Sequence, residues 1–246
     1  WNILFHGEWH RGAGYFHRDF KIDGLPTLVI TPKFDVPFLT RVILHELVHL
    51  LQDINRSHEE DWVKEGVAVW QAHQLVRTTP LGVDDSIRFF ETPLASPFPQ
   101  GKAADIREPR YLAKYGIAFQ FFNYLGRLCP YSDLLDMLLF SKSRKKGVPF
   151  VDEVLKKGMV EAKKAGQSMR AFCGRFDTLF ERFQKTRALH HLGPIRPRHP
   201  PEDYIQTDSY LNLKPKKKPI KLKPYSASVY HRPKKGCEDK DHVLTV

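Results

Sequence analysis

The sequence predicts an α+β chain: a small N-terminal sheet, one helix that carries the chemistry, a mostly helical remainder and an extended basic tail. Three observations predict it. A short β-branched run from Leu25 to Thr31 lies between Gly24 and Pro32 and reads as a strand. Between residue 36 and about 190, apolar residues recur at three- and four-residue spacing, the mark of helices that bury one face. Beyond 191 the apolar pattern gives way to proline and lysine, a composition that buries too little apolar surface to offset chain entropy. The expected organisation is a domain over 1–190 and a Pro/Lys-rich extended or disordered tail over 191–246.

Residues 1–24 mix aromatics, His and Gly and read as a truncated strand or loop region, with His6, His10 and His17 as surface or packing residues. A first helix follows the strand. Asp35 stands where an N-cap belongs and Pro37 where a first-turn proline belongs, and Phe38, Val42, Ile43, Leu47, Val48, Leu50 and Leu51 wrap it with apolar side chains, as a buried helix requires. The acidic turn Glu59-Glu60-Asp61 suits the start of a second helix. From Thr78 to Arg110 five prolines and two glycines break the helical signal. So long an irregular stretch within a domain is unusual, and it is expected to line a cleft. Helix resumes over Tyr111–Leu128, over Ser132–Phe140 with Ser132 as cap, over Pro149–Lys157 with Gly158 as stop, and from Ser168 to about Ala188.

The first helix holds the chemistry. In His45-Glu46-Leu47-Val48-His49, residues 45 and 49 lie about 40° apart around a helix, so both imidazoles reach one ion, while Glu46 points about 100° away. The pattern is that of zinc hydrolases, two ligands and a base. Two imidazoles on a buried face would leave costly unpaired polar groups unless something such as a metal binds them. A zinc site that keeps one open position needs a third protein ligand, and Glu65, sixteen residues after His49 in Trp62-Val63-Lys64-Glu65-Gly66-Val67-Ala68-Val69-Trp70, is the best candidate.

His45-Glu46-x-x-His49-Leu50-Leu51-Gln52 followed by Trp62-x-x-Glu65-Gly66-x-Ala68-x-Trp70 resembles the gluzincin metallopeptidases, the clan of thermolysin, the zinc aminopeptidases and clostridial collagenase, over roughly residues 25–185. The resemblance implies a zincin-like domain with one Zn2+ held by His45, His49 and Glu65, and Glu46 as general base. Tyr115-x-x-Ala118 resembles the clan's Tyr-x-x-Gly, whose tyrosine steadies the tetrahedral intermediate. Tyr115 is the implied oxyanion donor and Tyr111, on the same face, the alternative. The acidic residue that in thermolysin-like enzymes follows the glutamate ligand by one turn is Val69 here, so a partner that orients a histidine is expected from Asp61 or a backbone carbonyl. In the clan a strand such as 25–31 forms the upper edge of the cleft, where an extended peptide adds. It lacks the aminopeptidases' Gly-x-Met-x-Asn, which favours endopeptidase action on a protein or peptide substrate.

Composition bounds the remaining possibilities. No apolar run is long enough for a transmembrane helix. The formal charge of +11 is mainly a property of the tail. Its Lys214–Pro224 stretch and interleaved tyrosines suit a polyanion or nucleic acid docking through 191–246, and equally a solvated tail. Cys129, Cys173 and Cys237 are too few and scattered for a disulfide framework. The first two read as small core residues, and the odd count leans towards a reducing, intracellular compartment, with one bridge plus a free thiol as the other arrangement. Two alternatives to an enzyme stand beside the peptidase: an inactive metallopeptidase-like binding module, and a polyanion-binding protein acting through its tail. Glu46, which is not a ligand, favours chemistry. Sequence leaves the oligomeric state open.

Overall fold

The computed structural model describes residues 2–5, 14–31, 35–77, 80, 82–89, 92–95, 108–129, 133–168, 170–192, 228–233 and 240–245. Strands β1 (Asn2–Phe5), β2 (Gly14–Ile22) and β3 (Leu25–Ile30) form a three-stranded sheet in the order β1-β3-β2. β2 and β3 make an antiparallel hairpin in which Ile22 faces Leu25 across Asp23-Gly24. Both turn residues have positive φ, 53° and 75°, the left-handed pair that a two-residue hairpin turn demands and that Asp-Gly supplies. β1 pairs with the other edge of β3 in parallel. Thr27, Leu28, Val29, Ile30 and Thr31 are all buried, as befits a strand covered on both faces. The strand expected at the edge of a cleft is therefore the sheet's centre. Both its edges are already hydrogen-bonded, which corrects the expectation that a peptide adds to it.

Among the described residues seven helices follow: α1 (Val36–Arg56), α2 (Asp61–Val76), α3 (Val83–Arg88), α4 (Pro109–Leu128), α5 (Leu134–Phe140), α6 (Gly147–Lys164) and α7 (Phe176–Leu192). The Asp35 carboxylate caps α1 by accepting from the Phe38 amide at 2.9 Å. α1 is not wrapped evenly, for Ile54 is 69% exposed. α3 and the start of α4 occupy part of the stretch expected to be irregular. Ser86 of α3 is fully buried and its carbonyl accepts from Arg187 of α7, so this part is tied into the body, while residues 96–107 lie outside the described ones. α5 begins after Asp133, and the expected cap Ser132 is likewise outside them. α6 runs through Gly158, the expected stop, and ends at Lys164. Gly158 is buried, and burial of the neighbouring Val154, Leu155 and Ala162 outweighs the ~1 kcal/mol that an interior glycine costs a helix. The final helix starts later than expected, after a 3-10 turn at Ala171–Gly174.

The boundary expected at 190 falls inside the last turn of α7. Within the tail, β4 (Ser228–Pro233) and β5 (Lys240–Thr245) form an antiparallel pair; residues 193–227, with the lysine-proline stretch, lie outside the described ones, as do His6 and His10. No described helix is long and apolar enough to cross a membrane.

The main core joins α2, α4, α5, α6 and α7 around Trp62, Phe121, Phe122 and Phe176. Trp62 stacks on Phe122 with ring centroids 5.8 Å apart. Cys129 and Cys173, expected as separate core thiols, are buried but bonded to each other as a disulfide. The lean towards a reducing compartment thereby loses its basis, since such bridges persist in oxidising ones.

The turn from α1 to α2 is fastened by a buried ion pair. Arg56 and Glu59 side chains are 1% and 2% exposed, with Nη2 2.6 Å from Oε2. Arg56 also donates to the carbonyls of Ser141, Ser143 and Lys145 and lies over the Phe150 ring. Glu59 Oε1 accepts from the amides of Glu60 and Gly147. Gly147 has φ +59°, and a Cβ there would collide with the Glu60 carboxyl group. Removing one member strands the other's charge. Glu59→Ala and Arg56→Ala should each cost about 3–5 kcal/mol, and Arg56→Met with Glu59→Leu together distinctly less than the sum of the single losses. Urea unfolding of the four proteins measures this, and strict additivity would contradict a paired role.

Candidate metal centre

His45 and His49 face one way from the middle of α1. Their Nε2 atoms lie 3.0 Å apart, and the rings meet edge to face with centroids 4.5 Å apart. From α2, Glu65 brings Oε2 to 3.3 Å from each Nε2. The three residues are partly buried, and together they form a group that could hold a metal ion. Glu65 Oε2 is itself buried and makes no hydrogen bond. At 3.3 Å its approach is longer than the 2.7–2.9 Å of a charge-assisted hydrogen bond. Two nitrogen donors and one buried oxygen without a hydrogen-bond partner, converging on one point, are a donor set suited to a cation.

The electrostatics follow from the same closeness. Burial alone would lower the His49 pKa, but the Glu65 carboxylate beside it, helped by Glu46, raises it to about 9. Burial would raise Glu65, yet the neighbouring His49 and His45 hold it far below the usual carboxylate range. Without a metal the centre thus contains an imidazolium-carboxylate pair.

Glu46 is 6% exposed and on a different face of α1, as the helical offset predicts. Tyr115 and Tyr111 come from α4, with hydroxyls 3.3 Å apart. Tyr115 is kept protonated, well above its ordinary value, by burial first and then by the negative charges of Glu65 and Glu46. Tyr111 is raised by burial and by Glu65 and Asp61. The Glu65 charge raises both hydroxyls, and the Glu46 charge adds to the rise at Tyr115.

The approach of α4 depends on small residues. A Cβ on Gly66 would sit 2.6 Å from the Phe122 ring and 3.1 Å from the Ala118 Cβ.

The partner that orients a histidine is neither Asp61 nor a backbone carbonyl. It is Gln52, whose Oε1 lies 2.8 Å from His49 Nδ1 and whose amide nitrogen donates to the Lys64 carbonyl at 3.0 Å. The signal was present in the sequence as a glutamine one turn beyond the second histidine. His17 lies on β2 opposite Thr27.

Compared with family models, curated proteins and solved structures, the chain gives no significant match.

A cation must displace the proton that His49 carries below about pH 9. Apparent affinity for a divalent ion should rise with pH by up to tenfold per unit between pH 7 and 9 and level off above, with close to one proton released from His49 per ion at pH 7. Calorimetry in buffers of different ionisation enthalpy measures the proton count, and a pH-independent affinity over that range would contradict this charge state.

Proposed function

We propose that this protein is a zinc-dependent peptidase that cleaves internal peptide bonds. The observation that carries the reading is the convergence of His45, His49 and Glu65 from two helices, with Glu46 buried beside them and Tyr115 approaching from a third. The donor separations of 3.0–3.3 Å suit zinc, since ligands about 2.0–2.1 Å from a tetrahedral ion lie roughly 3.3 Å from one another. Two imidazoles and a carboxylate are donors that zinc accepts readily, one short of four-coordinate.

Zinc bound there would supply Lewis-acid polarisation of a carbonyl and a lower pKa for water. The chain's own groups do the rest. Glu46, which is not a member of the ligand group, accepts a proton from the attacking water and passes it to the leaving amine. Tyr115, protonated across the neutral range, donates to the oxyanion that develops on the scissile carbonyl. Gln52 and the Lys64 carbonyl hold His49 in place.

The substrate edge must be reassigned from β3. β2 is the outer strand of the sheet on the side away from β1 and packs against α1. Among the described residues its edge away from β3 pairs with no other strand, and an extended peptide can add there through main-chain hydrogen bonds on both sides of the scissile bond, with no free terminus required. The basic residues of 191–246 add an electrostatic route to acidic partners, a role separable from the metal centre by deleting the tail.

Two experiments test the reading. Glu46→Gln should keep its metal and lose turnover by about 10²–10⁴-fold, while His49→Ala loses both metal and turnover. Tyr115→Phe should lower kcat by roughly 10²-fold with metal retained, and Tyr111→Phe by much less. Steady-state kinetics with elemental analysis reads all four. Equal metal loss in Glu46→Gln and His49→Ala would remove Glu46 from the role of base.

Peptides with an acetylated N-terminus and an amidated C-terminus should be cut as readily as their free counterparts. Release of single residues from unblocked peptides alone, followed by mass spectrometry, would instead mark an exopeptidase.

A further inference from the structure

We propose that Gln52 is a positioning residue that fixes the proton of His49 on Nδ1 and ties that ring to the backbone of the helix carrying Glu65. The argument starts from a group with no choice of role. The Lys64 carbonyl can only accept, and it receives a hydrogen bond from the Gln52 side chain at 3.0 Å. The amide nitrogen must therefore face Lys64, because the opposite orientation would set two oxygen atoms against each other. That leaves Oε1, an acceptor without a hydrogen, 2.8 Å from His49 Nδ1. Nδ1 must then carry the proton. In the neutral ring Nε2 is consequently the lone-pair atom, and it is the nitrogen that points at His45 Nε2 and Glu65 Oε2.

The chain of contacts runs from one ligand to the residue just before another. It joins His49, Gln52, Lys64 and, by one peptide bond, Glu65. Gln52 is 4% exposed, so water has little access to replace either hydrogen bond. Glutamine is also the side chain that meets both demands. Glutamate could accept from Nδ1 but would have no hydrogen to give Lys64, and asparagine is one methylene shorter. The carboxylate that would orient a histidine from the position of Val69 is absent, and this neutral amide from the ligand helix itself does the work in its place. A neutral partner leaves the ring less electron-rich than a carboxylate would.

This inference rests on the metal-centre reading for its purpose, but its test does not. The full chain, stripped of metal with a chelator, is examined by long-range 1H–15N correlation of its histidine rings, with the pH raised until the 15N shifts of the ring are those of a neutral imidazole; His49 is assigned by its absence in His49→Gln. The wild type should give the Nδ1–H pattern for His49. Gln52→Glu should keep that pattern, because an acceptor remains, and Gln52→Leu should lose it, with Nε2–H appearing. Competition with a chromophoric zinc chelator should show Gln52→Leu binding zinc about 10–100-fold more weakly than wild type, and Gln52→Glu closer to wild type. An Nε2–H ring in the wild type, which needs no variant to fold, or an unchanged ring in folded Gln52→Leu, would overturn the proposal. Ring patterns as expected, together with no zinc bound by the wild type, would leave the positioning role standing and remove the peptidase reading instead.

Discussion

The geometry of the centre depends on the buried pair of Arg56 and Glu59 in the short turn between α1 and α2. Taking both charges out of water is expensive, and their attraction offsets that only when every remaining donor and acceptor is used. Here they are used. Three backbone carbonyls of the extended 141–146 segment receive Arg56, and two amides give to Glu59. The pair therefore joins the end of α1, the start of α2 and the start of α6 at one point. It sets the angle at which α2 leaves α1, and with it the place where Glu65 meets His45 and His49, one to three helical turns away.

A second constraint acts from the side of α4. Trp62 stacks on Phe122, and Gly66 lets that ring and Ala118 come within contact distance. Tyr115 lies on the same helix, and the Glu65 and Glu46 charges help keep its hydroxyl protonated. A single residue, Gly66, thus connects sequence to packing: its missing side chain leaves room for Phe122 and Ala118 of α4 against α2, beside Glu65. The disulfide between Cys129 and Cys173 ties the far end of the same helix to the turn before α7. Closing a loop of this size contributes on the order of 2–4 kcal/mol, and it anchors α4 at the end opposite Tyr111 and Tyr115.

Helix ends and the ligand face were legible because they depend on neighbours in the chain. Asp35 and Pro37 marked the start of α1, and the spacing of His45 and His49 placed both on one face, since helical geometry is local. The Asp23-Gly24 turn was equally local, but the mixed aromatic and charged strand before it hid the hairpin. Gly158 misled for the opposite reason: its cost to the helix is local and visible, whereas the burial that outweighs it is not.

By itself, then, the sequence determined the α+β class, the helix that carries His45 and His49 and the three residues that meet at the centre, because motif spacing and capping act over a few residues. Only the tertiary structure decided which strand is central, that Gln52 holds His49, that the hydroxyls of Tyr111 and Tyr115 meet, and that two distant cysteines are joined. Those are questions of which surfaces come to face one another across helices, and they are answered by burial and close packing between residues that the chain itself keeps far apart.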